Sequence, residues 1–132
     1  MIKLKPDTTD SFLEKVNRLE GGNVEHVEFI LSGEDNNGEF LQSAEILAYP
    51  EGAWITCKIR MINLYAFRFD AKCSSNFFGL SGYPNSLDII WNKNLDSVIV
   101  AFGANVKELT YEGLKESEFW IESKSIEYEL YD

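Results

Sequence analysis

Apolar residues recur along this chain at two spacings, and the change from one to the other divides it. Near the N-terminus Phe12, Val16 and Leu19 stand at i, i+4 and i+7, and Ser11-Phe12-Leu13-Glu14 has the form of a capping box. A helix over about residues 10–20 is predicted, buried along that stripe. Gly21-Gly22 supply its end, because helix C-termini favour a residue able to turn left-handed. Beyond them the period is two. Val27, Phe29 and Leu31 alternate with Glu28 and Ile30, the polar cluster of residues 33–38 breaks the run, and Asn37-Gly38 marks a hairpin into residues 39–49. After a turn at Pro50-Glu51-Gly52, Ile55, Cys57, Ile59 and Met61 face one way and Thr56, Lys58 and Arg60 the other. Residues 65–71 keep the alternation, with Phe67 and Phe69 inward against Arg68 and Asp70, and are expected to pair with the strand before them.

Residues 74–86 read as a loop, since Gly79, Gly82 and Pro84 interrupt the aromatics Phe77, Phe78 and Tyr83. Residues 87–91 and 98–102 form two further strands joined by Asn92-Lys93-Asn94, and Val98-Ile99-Val100 has the composition of a strand buried on both faces. In the last stretch Phe119 and Ile121 share one phase, whereas Ile126, Tyr128 and Leu130 share the other. A bulge or bend near Ser123-Lys124 is therefore expected, because one inserted residue moves every following side chain to the opposite face. The pattern predicts an α+β fold, mostly β: one antiparallel, strongly twisted sheet or a sandwich of about seven strands, with the N-terminal helix over one face. Residues 1–132 are expected to form a single domain, as the length suggests.

Composition narrows the class. Aromatic residues make up 14% of the chain, too many for a disordered acidic tail. No stretch approaches the roughly 18 consecutive apolar residues of a membrane span, and Met1-Ile2-Lys3-Leu4-Lys5-Pro6 lacks the apolar run of a signal peptide. A cytoplasmic location follows, and Cys57 and Cys73 are expected as buried free thiols rather than a bridge. The net charge is −10, and it is unevenly spread. Residues 1–45 hold 10 Asp and Glu against 4 Lys and Arg, residues 46–106 hold 4 against 5, and residues 107–132 hold 8 against 3. Such a field repels nucleic acid and anionic lipid and attracts a basic protein.

Catalytic and metal-binding patterns are missing from the sequence. The lone histidine, His26, lies in an acidic alternating strand with Glu25 and Glu28, where an exposed position is the plain reading. Gly79-Leu80-Ser81-Gly82 matches neither a nucleophile elbow nor a phosphate-binding loop. Zinc needs about four soft or imidazole ligands, and two cysteines with one histidine do not supply them. The acidic turn Glu34-Asp35-Asn36-Asn37-Gly38 fails as a calcium loop, since Gly33 and Ala44 then fall where carboxylates are required. No metal, no cofactor and no enzymatic activity are expected. Lys58, Arg60, Arg68 and Lys72 form the one basic cluster, read as a solvated sheet face paired with acids rather than a nucleic-acid site.

What remains is the acid-and-aromatic C-terminal stretch: Glu116, Glu118, Trp120, Glu122, Glu127, Tyr128, Glu129, Tyr131 and Asp132. Interfaces combine rigid aromatic anchors with charge that steers and registers a partner, so these residues are the candidate binding surface. With Ile126, Tyr128 and Leu130 inward, Glu127 and Glu129 project together from the other face, on a strand that is also a candidate sheet edge. In size, charge and this C-terminal mixture the chain resembles the bacterial immunity proteins of contact-dependent growth inhibition. The resemblance implies an inhibitor that binds a basic cognate toxin, often a nuclease, its carboxylates standing in for phosphates. A monomer or weak homodimer is expected. The rival reading is a small-ligand carrier or enzyme accessory with an apolar pocket between sheet and helix, lined by Phe77, Phe78, Trp91 and Phe102. A third makes the aromatic loop of residues 77–83 a self-association contact.

Overall fold

The computed structural model describes residues 1–52, 55–70, 86–104 and 106–131. Its first helix, α1 (Thr9–Lys15), is entered through a 3-10 turn at Pro6–Thr8. Pro6 suits that position, having no N–H to leave unsatisfied. The Thr8 hydroxyl accepts the Lys5 amide at 3.0 Å and the Thr9 hydroxyl donates to the Lys5 carbonyl at 2.7 Å, so the start lies two residues before the Ser11 capping box. Phe12, Val16 and Leu19 are buried as their spacing predicts. The helix nevertheless stops at Lys15 instead of running to Gly21-Gly22. Asn17, Arg18 and Leu19 take φ of 49, 50 and 55°, a left-handed turn. Such residues cost roughly 1–2 kcal/mol each. Burying the Leu19 side chain contributes roughly 1.5–3 kcal/mol, which offsets part of that.

Among the described residues there are seven strands: β1 (Ile2–Lys3), β2 (Asn23–Glu34), β3 (Phe40–Tyr49), β4 (Thr56–Phe69), β5 (Leu87–Asn92), β6 (Ser97–Phe102) and β7 (Phe119–Tyr131). They make one antiparallel sheet in the order β2-β3-β4-β7-β6-β5, with β1 added to β7, and α1 packs on one face. The fold is α+β and mostly β. The β2–β3 turn closes at Asn37-Gly38, with Gly38 at φ 77°. Asp35 shapes it by accepting the amides of Asn37 and Glu39 at 2.8 and 2.9 Å. Its carboxylate is thus a turn element.

The pairing expected of residues 65–71 with the strand before them does not form over the described residues 65–70. Residues 65–69 instead continue β4, which runs unbroken through Phe69 and pairs with β7 from Thr56↔Tyr131 to Phe69↔Phe119. The physical reason is Asn63, which takes φ 60° and bends the strand without reversing it. Facing it, β7 slips phase as predicted: the Ser123 hydroxyl donates to the Ser125 carbonyl at 2.8 Å. Phe119 and Ile121 before the slip, and Ile126 and Tyr128 after it, all enter the same core. A second irregularity lies between Leu64 and Ala66. Bends of this kind let one sheet fold over its own core. As a result Phe29 of β2 reaches past β3 to stack on Phe67 of β4, centroids 4.1 Å apart. Phe67 and Phe69 lie at the rim of that core, half-exposed, rather than within it.

Every residue of β6 is buried, because the sheet is covered twice there. α1 covers one face. On the other, Ala104, Val106 and Leu114 pack on Ile99, Ala101 and Trp120, with Leu114 carried by a single-turn helix, α2 (Tyr111–Leu114). Thr110 caps α2 by accepting the Gly113 amide at 3.0 Å. Strand β7 is therefore central, flanked by β4, β6 and β1, and not a sheet edge as its terminal position suggests. Among the described residues the outer strands are β2 on one side and β5 and the short β1 on the other.

Candidate partner-binding surface

The structure separates the eight described residues of the nine that the sequence groups together at the C-terminus. Trp120 is buried against Ala101 and Leu114, its indole N–H donating to the Lys115 carbonyl at 3.1 Å. Tyr128 is buried on the opposite side, 4.4 Å from the Phe12 ring. Glu122 is buried too, and its carboxylate accepts the hydroxyls of Ser97 and Tyr111, both at 2.7 Å, and the Lys115 ammonium at 3.2 Å. Burial pushes the Glu122 carboxyl upward, but the hydrogen bonds from Tyr111, Ser97 and Lys115 together outweigh it and hold the group below the ordinary range. Lys115 also lies 4.4 Å from the Tyr111 ring centroid and 5.4 Å from that of Trp120. This cluster fastens residues 106–118 onto the sheet. Its components serve the fold, which their sequence neighbours do not reveal.

Glu116 is exposed, and Glu118 is half-buried with one carboxylate oxygen, Oε2, enclosed. Asp132 lies outside the described residues, as do Cys73, Lys72, Phe77, Phe78 and the loop of residues 74–85. Glu127, Glu129 and Tyr131 do reach solvent together, on the face of β7 turned from the core. There each acid stands across from a cation, Glu127 from Arg60 and Glu129 from Lys58. Arg60 comes within 4.0 Å of Glu127, and Lys58 within 3.3 Å of Glu45 on β3. Arg68 approaches Asp70 at 3.8 Å and donates to the Ser117 carbonyl at 3.2 Å. The basic residues of β4 are thus engaged by acids, as a solvated sheet face requires.

A stronger acidic feature lies on the β2–β3 hairpin. From Leu19 to Cys57 the sequence holds eight Asp and Glu and no Lys or Arg over 39 residues. The signal was present in the sequence, but averaging over residues 1–45 hid it. Folding concentrates it further, because Glu28 and Glu45 stand directly opposite one another across β2 and β3. Like charges so placed oppose folding. Lys58 relieves Glu45, and the exposed His26 lies 3.6 Å from Glu28. The Tyr49 phenol donates to Glu25, a bond that with burial holds the phenol above its ordinary range. Glu34 and Glu39 meet no cation among the described residues. Beside them stand exposed Leu31 and Phe40. Sequence reasoning placed these apolar residues in strands without seeing that the core ends before them.

Of the four residues named for the rival pocket, Phe102 and Trp91 lie among the described residues. Phe102 is buried and stacks on Phe119 with centroids 4.9 Å apart, and the Trp91 indole N–H donates to Thr9 at 2.8 Å. A separate shallow cleft of about 200 Å³ is lined by Val24, Glu25, His26, Val27 and Phe69. Among the described residues no three His, Cys, Asp or Glu side chains converge as metal ligands, and no helix is long and apolar enough to cross a membrane. Cys57 is buried, and desolvation pushes its thiol up to about 12. Comparison with protein families, curated proteins and solved structures yields no match to any of them.

Proposed function

We propose that this chain is an immunity-type inhibitor, a cytoplasmic protein that captures and neutralises a basic toxin through carboxylates displayed on its sheet. The observation that carries the reading is the acid-only hairpin. Glu28 faces Glu45 at a cost to folding, and Glu34 and Glu39 meet no cation among the described residues, so the field points outward. Glu127, Glu129 and Tyr131 add a second, smaller group on β7, separated from the hairpin by the Lys58 and Arg60 cations of β4. A toxin that acts on nucleic acid carries Lys and Arg in its site, and these carboxylates occupy them in place of phosphates.

Retention of extract proteins on the immobilised chain, eluted by rising salt, tests the reading together with growth of cells expressing what is retained. The expected result is a cationic protein that arrests growth alone and is harmless when this chain is co-expressed. Recovery of only neutral metabolites or further copies of the chain contradicts it.

A further inference from the structure

Pairing of β3 with β4 begins at Ser43↔Ile62, whereas β2 pairs with β3 out to Glu34↔Phe40. Among the described residues the outer part of the hairpin is consequently a two-stranded arm with no third strand paired beside it. Phe40 precedes the core residue Ala44 by four, so it continues the apolar side of the sheet past the end of the core, and Leu31, two residues after the core-packed Phe29, lies at the bulge between Ile30 and Gly33 on the facing strand. They are 48% and 66% exposed, and Phe67, stacked on Phe29, is 42% exposed. An apolar strip held out on an arm and flanked by Glu34 and Glu39 is costly to leave in water. It has the make-up of an interface centre with an acidic rim.

We infer that this arm is the docking element, with Leu31, Phe40 and Phe67 seated on apolar side chains of a basic partner and Glu34 and Glu39 meeting its cations. The occupant is chosen by charge: a second copy brings the same acids against the arm, whereas a cationic segment with interspersed apolar residues complements both features. The inference rests on the proposed reading that the partner is basic, and adds where and how it binds.

Its test uses the whole chain, isotope-labelled, titrated at low salt with a short peptide alternating Lys and Leu. A Lys/Ser peptide of equal charge and a Glu/Leu peptide serve as controls. The expected result is tightest binding of Lys/Leu, amide shifts concentrated at residues 30–43, and roughly tenfold weaker binding by Phe40→Ser with the remaining spectrum unchanged. Equal binding of Lys/Leu and Lys/Ser, or shifts centred on Glu127 and Glu129, overturns the arm and leaves the basic-partner reading standing. Failure of both cationic peptides to bind overturns both.

Discussion

Glu122→Gln separates a residue of the fold from a residue of the binding surface. The substitution keeps the shape and removes the charge that receives Ser97, Tyr111 and Lys115. Hydrogen bonds to a charged group contribute roughly 1.5–3 kcal/mol, and an amide retains part of each. The Lys115 arm counts for less, since its side chain is 34% exposed and water screens it. A loss of about 2 kcal/mol results, or roughly 8 °C in Tm for a chain of this size. The pH dependence has a definite sign. The Glu122 carboxyl is held below its ordinary value in the folded state, so the unfolded chain binds the proton first as pH falls. The stability it contributes is complete above the unfolded carboxylate value and disappears as pH drops through the folded one. Urea unfolding at pH 7 and at stepped lower values measures both effects. The variant is expected to be less stable at pH 7, to converge with the parent in acid, and to capture its partner at an unchanged rate once folded. Equal stability at pH 7, or folded protein that has lost capture, refutes the placement of Glu122 in the fold.

Other expected outcomes follow the same logic. In a Cys73→Ser background, Cys57 should ignore a thiol reagent at pH 8 and react only as fast as the chain opens, since its thiol is buried and pushed up to about 12; immediate labelling contradicts this. Arg18→Gly should raise stability by about 0.5–1 kcal/mol in urea titration, because glycine removes the left-handed strain at φ 50° at some cost in chain entropy. Glu28→Gln should stabilise by a few tenths of a kcal/mol at low salt, with the gain fading at high salt, as relief of the Glu28–Glu45 opposition predicts. Glu127→Lys with Glu129→Lys should slow partner association at low salt, and unchanged rates count against that face.

Much of this fold is legible in the residues because local chemistry decides it. Phe12, Val16 and Leu19 locate the helical stripe, Asn37-Gly38 the hairpin, and the phase change around Ser123 the bend in β7, since each feature depends on residues close in sequence. Val98-Ile99-Val100 announces a strand covered twice. The cover itself is silent, because Tyr111–Leu114 is a single turn, too short to display a helical period. Alternation alone cannot distinguish a strand that continues through Asn63 from one that reverses there. Strand order is decided by packing between distant segments, so the terminal β7 gives no sign of being central. That ambiguity explains the division of the candidate surface: Trp120, Glu122 and Tyr128 carry interface-like chemistry in sequence and are enclosed by neighbours far along the chain, whereas Glu127 and Glu129 emerge as their alternation requires. The hairpin acids were readable throughout, as the absence of Lys and Arg from Leu19 to Cys57.

The most direct measurement is the association rate of this chain with the cationic protein that the proposed function expects it to retain, followed from about 20 mM to about 500 mM salt. An outward-pointing acidic field predicts a fall of tenfold or more across that range, shallower when Glu28, Glu34 and Glu39 are replaced by Gln. A rate that does not change with salt contradicts the account.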